Sequence, residues 1–236
     1  MDTIFICVFN LGCIEIAENH IISLIRCGIT NYIAYVTDIE SFDILIQKGY
    51  NVSYYQDDQS TEKMDFGTSG FNSLSYLRYK IINELLDKGK TVWYLDVDTV
   101  VLRDLNDLVS QFISKDIVMQ NDINMPCSGC MLCYPTKTCK QIMTVIYSLR
   151  TSSENDQILL AHLLRTNKNI QLELLDHECF ANGLLFFNEG SDNQIYRQLQ
   201  LAFINTTKPL YLVHANWMIG VETKISALKK KNLWYV

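Results

Sequence analysis

The stretch "VWYLDVDTVV", Val92 to Val101, reads as a buried strand with two carboxylates set into its end. Its apolar and aromatic run suits a strand covered on both faces, a place that ought not to carry ionised groups. Taking a carboxylate out of water costs on the order of several kcal/mol unless a cation or hydrogen-bond donors replace the lost hydration. Asp96 and Asp98, one residue apart, therefore ask for a partner.

The segments before this stretch say what kind of sheet it joins. Ile4 to Phe9 is a short apolar run that stops at Asn10-Leu11-Gly12, and Ile16, Ile21, Leu24 and Ile25 then repeat at helical spacing. Tyr32 to Val36 forms a second run ending at Thr37-Asp38, followed by a helix over Phe42 to Gln47, a stop at Gly49 and a third run over Asn51 to Tyr55. Strands alternating with helices imply an α/β fold with a mainly parallel sheet, helices on both faces, and ligands at the carboxyl ends of the strands. Asn10, Asp38 and the Asp96/Asp98 pair all lie at such ends.

A polar stretch without period, Gln56 to Ser69, reads equally as a lid over a site or a surface excursion. A helix over Gly70 to Leu86 follows, with Leu74, Leu77, Ile81 and Leu85 at core spacing. Beyond Val101 the pattern loosens. Strands are expected at Ile117 to Gln120 and Gly129 to Tyr134, and helices at Gln141 to Leu149, Asp156 to Leu164 and Val221 to Lys231.

Bulk properties narrow the function classes. The 236 residues are 48% apolar and 19% charged, enough for a sizeable core, and no Pro/Gly/Ser-rich linker divides them, so one domain over 1–236 is expected. A net charge of -6 argues against a nucleic-acid partner, and the short basic run Lys229-Lys230-Lys231 suits the carbonyl end of a helix. No cleavable leader pattern or membrane-length apolar run is present, and the 8 cysteines read as thiols, so a cytoplasmic location is expected.

An Asp-x-Asp after a strand has a bland reading, a turn that caps the next element, and two enzymatic ones. "LDVDTVV" is similar to the nucleophile motif of haloacid dehalogenase-type phosphatases. There, however, the motif opens the domain, whereas three strands precede it here and no later strand ends in paired acids. In the other reading the carboxylates hold a divalent ion against a diphosphate, for which hard oxygen ligands are suited.

The second reading extends beyond one motif. "DFGTSGFNSLSYLRYKIINELLDKGKTVWYLDVDTVVLRD", "CSGCMLCYPT", "NDQILLAHLL" and "LVHANWMIGVETKISALKKKNLW" together span most of the chain. They resemble the nucleotide-diphospho-sugar transferase family of the GT-A fold, which includes plant cell-wall xylosyl- and arabinosyltransferases and is more distantly related to glycogenin-like transferases. The resemblance implies a Rossmann-like single-domain fold, with a nucleotide-binding part at about 1–104 and a sugar and acceptor part at about 105–236, and transfer of a sugar from a UDP-sugar to a glycan, protein or small-molecule acceptor, with retention of anomeric configuration and Mn²⁺ or Mg²⁺ as cofactor. It further implies Asp96, Asp98 and His214 as metal ligands. Asn10, Asp38, Lys80, Leu95, Val97, Gly220 and Lys224 fall at nucleotide or diphosphate positions, Ser128, Gly129, Asn216 and Trp217 at sugar or acceptor positions, and Asp156 and Gln157 at the reacting centre. A binding protein of the same fold that transfers nothing is the alternative; titration with UDP and Mn²⁺ would detect either, and turnover would separate them.

The residues themselves temper some of these assignments. Asp156 and Gln157 open a helix, where an acid often caps. Cys127, Cys130, Cys133 and Cys139 resemble a metal-cluster run, but on a strand Cys130 and Cys133 would point to opposite faces. Cys127 also stands where the family often has asparagine. Asn182-Gly183 reads as a turn.

Overall fold

The computed structural model describes residues 2–56, 69–123, 125–150, 154–187 and 194–236. The stretch read as a lid or excursion lies almost wholly outside these residues. The first half alternates as expected: β1 (Thr3–Phe9), α1 (Ile14–Arg26), β2 (Tyr32–Val36), α2 (Ile39–Gln47), β3 (Val52–Tyr54), α3 (Ser69–Asp87) and β4 (Thr91–Leu95). Then come β5 (Thr99–Val101), α4 (Asn106–Val109), β6 (Ile117–Asn121), β7 (Pro126–Cys133), α5 (Lys137–Ser148), α6 (Asp156–Thr166), β8 (Leu172–Leu175), β9 (Phe180–Ala181), α7 (Gly183–Phe187), α8 (Gln194–Asn205), β10 (Leu212–His214) and α9 (Val221–Lys230).

Among the described residues, seven strands form one sheet in the order β3-β2-β1-β4-β7-β6-β8. Neighbours pair in parallel except β7, which runs against both β4 and β6. Strands from the two halves of the chain thus meet side by side in the centre of one sheet. Alternation along each strand divides the core. Phe5, Trp93, Leu95, Cys130 and Leu132 face α1, α2 and α4 on one side; Ile6, Tyr94, Met131 and Cys133 face α3, α5 and α6 on the other. Phe5 and Trp93 stack with ring centroids 5.6 Å apart. Cys130 and Cys133 do point to opposite layers, and none of the eight cysteines is in a disulfide.

The opening stretch departs from its reading as one strand. β4 ends at Leu95, Asp96 to Asp98 turn, and β5 enters a second sheet, β5-β10-β9. The turn is fixed by backbone and side-chain bonds. Asp96 N–H donates to the Gly129 carbonyl (2.7 Å), and Thr99 donates to the Asp96 carbonyl through both its N–H (3.0 Å) and its hydroxyl (2.8 Å). The two carboxylates therefore stand at the junction of two sheets, where backbone pairing changes partner and a cleft can form.

Two local readings also change. α6 is capped by Asn155, whose side chain accepts from Gln157 N–H, which frees Asp156 to point inward. Asn182-Gly183 begins α7 rather than making a simple turn: the Asn182 side chain accepts from Leu185 N–H (2.9 Å), the bond expected of a helix cap. A methyl on Gly183 would lie 1.8 Å from the Asn216 carbonyl oxygen, so only glycine fits that crossing.

Candidate active site

The second sheet brings the distant parts of the site to the aspartates. β10 pairs antiparallel with β5, placing His214 opposite Thr99, and Ala215 N–H donates to the Asp98 carbonyl (2.9 Å). His214 Nε2 then lies 3.1 Å from Asp98 Oδ1 and 3.9 Å from Asp96 Oδ2. The chain turns at Gly220, whose φ of 85° suits glycine, into α9. One turn later, Lys224 Nζ reaches Asp98 Oδ2 at 2.6 Å.

A second cation meets the other aspartate. Arg78, on α3, donates from Nη1 to Asp96 Oδ1 (3.0 Å) and from Nη2 to Asp156 Oδ2 (2.7 Å). Tyr94 adds its hydroxyl to Asp96 Oδ1 (2.5 Å), and Tyr79 adds its own to Asp156 Oδ2 (2.6 Å). The resemblance points to Lys80 on this helix, yet it is Arg78 that reaches the acids. The signal was there: an arginine between Leu77 and Tyr79 interrupts an otherwise apolar helical face. The Lys80 ammonium instead sits over the rings of Tyr55 and Tyr147, 5.2 and 6.0 Å from their centroids.

Electrostatics follow from this pairing. Burial alone would raise the Asp98 pKa, but Lys224 and His214 hold it well below the usual carboxylate range. Burial works against charge on His214 and Lys224, yet Asp98 keeps both above their ordinary values. Arg78, likewise opposed by burial, is held charged chiefly by Asp156.

β7 forms the floor. A methyl on Gly129 would stand 2.3 Å from Asp96 Oδ2 and 2.6 Å from His214 Cε1, so the absent side chain is what lets the strand pass beneath the acids. Ser128 N–H donates to Gln157 Oε1 (3.1 Å), linking the start of α6 to this floor. Cys127 Sγ lies 3.7 Å from His214 Nδ1.

Other assigned residues are placed less centrally. Asn10 and Asp38 do lie at the ends of β1 and β2. The Asp38 carboxylate accepts from Ser41 N–H, Ser41 hydroxyl and Leu11 N–H, so it anchors α2 and the turn after β1. Asn216 accepts from Gly183 N–H (2.7 Å), and the Trp217 indole donates to Asp122 (2.7 Å) while the residue stays 56% exposed. Leu95 is buried, and Val97, between the aspartates, is partly so.

Asp96, Asp98 and His214 each offer a ligand atom within 4.8 Å of the others. Two carboxylates and one imidazole form a donor set suited to Mn²⁺ or Mg²⁺, whose remaining coordination positions non-protein oxygens would fill. The chain's own residues therefore fit a divalent ion.

Known proteins share this architecture. A galactosyltransferase, LgtC, crystallised with donor and acceptor sugar analogues, superposes with a TM-score of 0.61 over 97% of this chain and 95% of its own, at 13% identity. The glycosyltransferase GlyE of Streptococcus pneumoniae gives 0.61 over 100% of this chain and 65% of its own, at 17% identity. In sequence, the UDP-D-xylose:L-fucose alpha-1,3-D-xylosyltransferase MGP4 of Arabidopsis thaliana is 26% identical over 211 residues, 76% of this chain and 54% of the relative. A second Arabidopsis thaliana enzyme of that activity is 24% identical over 200 residues, 72% of this chain and 52% of its own. The chain spans about half the length of the curated relatives it matches. The sheet of GT-A glycosyltransferases is present, the acids lie at its junction, and a family model matches residues 27–228: the chain belongs to the nucleotide-diphospho-sugar transferase family.

Proposed function

We propose that this protein transfers a sugar from a UDP-sugar to a hydroxyl acceptor, with retention of anomeric configuration and with Mn²⁺ or Mg²⁺ held by Asp96, Asp98 and His214. The observation that carries the reading is the convergence of these three groups, with Lys224 against Asp98, at the junction of the two sheets. Bond breaking leaves negative charge on the departing diphosphate. A bound divalent ion supplies a Lewis acid that stabilises that charge. Lys224, charged and 23% exposed, is the side chain free enough to leave Asp98 for a phosphate oxygen.

Retention is favoured by what surrounds Asp156. Its Oδ2 accepts from both Arg78 and Tyr79, and the residue is buried, so a role as base toward an acceptor or as nucleophile would need those bonds to give way. Same-face attack asks less: the acceptor hydroxyl approaches as the diphosphate leaves, and a phosphate oxygen takes its proton. Gln157, held by Ser128 N–H, is assigned to orient the sugar, with Ser128 and Gly129 along the floor. Asn10 and Asp38, with the backbone at Leu95 and Val97, are assigned to the nucleotide side. The exposed Trp217 ring offers an apolar face for an acceptor. The relatives' named donor makes UDP-xylose the first to try.

Screening UDP-xylose, UDP-glucose, UDP-galactose and UDP-N-acetylglucosamine for Mn²⁺-dependent hydrolysis tests the transfer reading. Binding of UDP without turnover of any donor, with acceptors supplied, would favour a binding protein instead. Proton NMR of the first-formed product tests retention: an α-linked product is expected, and a β-anomer from the α-linked donor contradicts it.

A further inference from the structure

The His214 ring is 2% exposed and its two nitrogens meet different chemistry. Nε2 faces the acids. Nδ1 faces Gln120, whose Oε1 lies 2.8 Å away. Which of these nitrogens keeps its proton decides whether the ring can bind a cation, because a metal needs the lone pair of a deprotonated nitrogen.

Gln120 settles the question through a bond at its far end. It is fully buried near the end of β6, where the pairing with β7 shifts between Met119 and Gln120 so that Gln120 comes opposite Cys127. Its Nε2 donates to the Phe180 carbonyl (3.2 Å) on β9. A carbonyl can only accept, so the amide cannot be reversed without setting oxygen against oxygen. Oε1 must then point at Nδ1, and an amide oxygen can be met there only by N–H. We infer that Gln120 is a positioning residue: it holds the proton of His214 on Nδ1 and so keeps the Nε2 lone pair for a divalent cation between Asp96 and Asp98.

The neighbour that makes this necessary is Cys127. Its sulfur is 3.7 Å from the same Nδ1, and a thiol can donate as well as accept. In the neutral ring that metal binding requires, an S–H donated to Nδ1 would put the remaining proton on Nε2 and close it to metal. The stronger acceptor on Gln120 excludes that arrangement. Partners of this kind raise the basicity of a metal-binding histidine and fix its orientation.

The inference rests on the metal reading of the site, and the test keeps the two apart. Mn²⁺ affinity is measured by electron paramagnetic resonance for the wild type, Gln120→Met and Gln120→Glu, with thermal melting as the check on folding. Gln120→Met, similar in size but a poor acceptor, should bind Mn²⁺ about 10- to 100-fold more weakly. Gln120→Glu, whose protonated acid can donate to the Phe180 carbonyl and still accept from Nδ1, should bind Mn²⁺ more tightly than Gln120→Met. Proton–nitrogen NMR of His214 in the Mg²⁺-bound wild type should show the proton on Nδ1. A folded Gln120→Met protein with wild-type affinity, or a Mg²⁺-bound ring protonated on Nε2, overturns the inference. So does a Gln120→Glu variant that loses Mn²⁺ as fully as Gln120→Met. If the wild type binds no Mn²⁺, the metal reading fails, and the metal-free ring then tests Gln120: an Nδ1 proton equally protected in Gln120→Met would overturn its role.

Discussion

Arg78 and Lys224 both face the aspartate pair, yet they are built for different work. Arg78 is 5% exposed and divides its guanidinium between Asp96 and Asp156, with Tyr79 and Tyr94 closing the same network. Lys224 is 23% exposed, touches one oxygen of Asp98, and stands on the first turns of a helix that begins at a glycine. A planar fork locked between two carboxylates is a fixed part of the scaffold; a single ammonium on a flexible stem can change partners. The site thus has a rigid side, on β4, α3 and α6, and an adaptable side, on α9.

The largest expected effect breaks the rigid side. Arg78→Leu leaves Asp156 buried without its cation and should cost about 3–5 kcal/mol of folding stability, read as a drop in urea midpoint. A variant with unchanged stability would show that the network is not a scaffold. Next comes the pair itself: Asp96→Asn or Asp98→Asn should lower turnover by roughly 10²- to 10³-fold, about 3–4 kcal/mol, and abolish Mn²⁺ binding while the fold persists. Activity of either variant surviving in chelator would remove the metal from the account.

The adaptable side predicts a smaller and more selective loss. Lys224→Ala should weaken UDP-sugar roughly 10- to 100-fold, the range of a hydrogen bond to a charged group, and leave uridine binding nearly unchanged. Equal weakening of both ligands would make Lys224 as structural as Arg78. The smallest effect concerns His20, buried on α1 beneath the turn, with Nδ1 3.0 Å from the Thr99 carbonyl. Burial pushes its pKa from 6.5 down to about 4. The unfolded chain therefore takes up the proton first on acidification. The His20 contribution is fully present above pH 6.5 and falls away as the pH drops toward 4, by about 1 kcal/mol at pH 5.5. Comparing urea midpoints at pH 7.5 and 5.5 for the wild type and His20→Gln checks this, since the variant should lose less on acidification.

What the sequence made legible follows from the range of the interactions. The β-α alternation through β4, the aspartates, and the placement of His214 and Lys224 all rest on local pattern or on motif resemblance. The break between β4 and β5 did not show, because Val100 and Val101 are as apolar as Val92; only pairing with β10 tells the two strands apart. The partners of Arg78 and Gln120 are hidden in the sequence for a related reason. They lie 18 and 94 positions away, and nothing in local periodicity marks a buried polar side chain as satisfied.

The distance along the chain between Asp98 and its partners also has a consequence for biosynthesis. His214 follows it by 116 positions and Lys224 by 126. At roughly 5–20 residues per second, about 6–25 s of translation pass between the emergence of the carboxylate and of the lysine that balances it. A ribosome-bound chain can pair β1, β2 and β4 well before it can close the second sheet. The charged junction thus cannot close until the chain has been made through α9, well after the strands before Asp98 can pair.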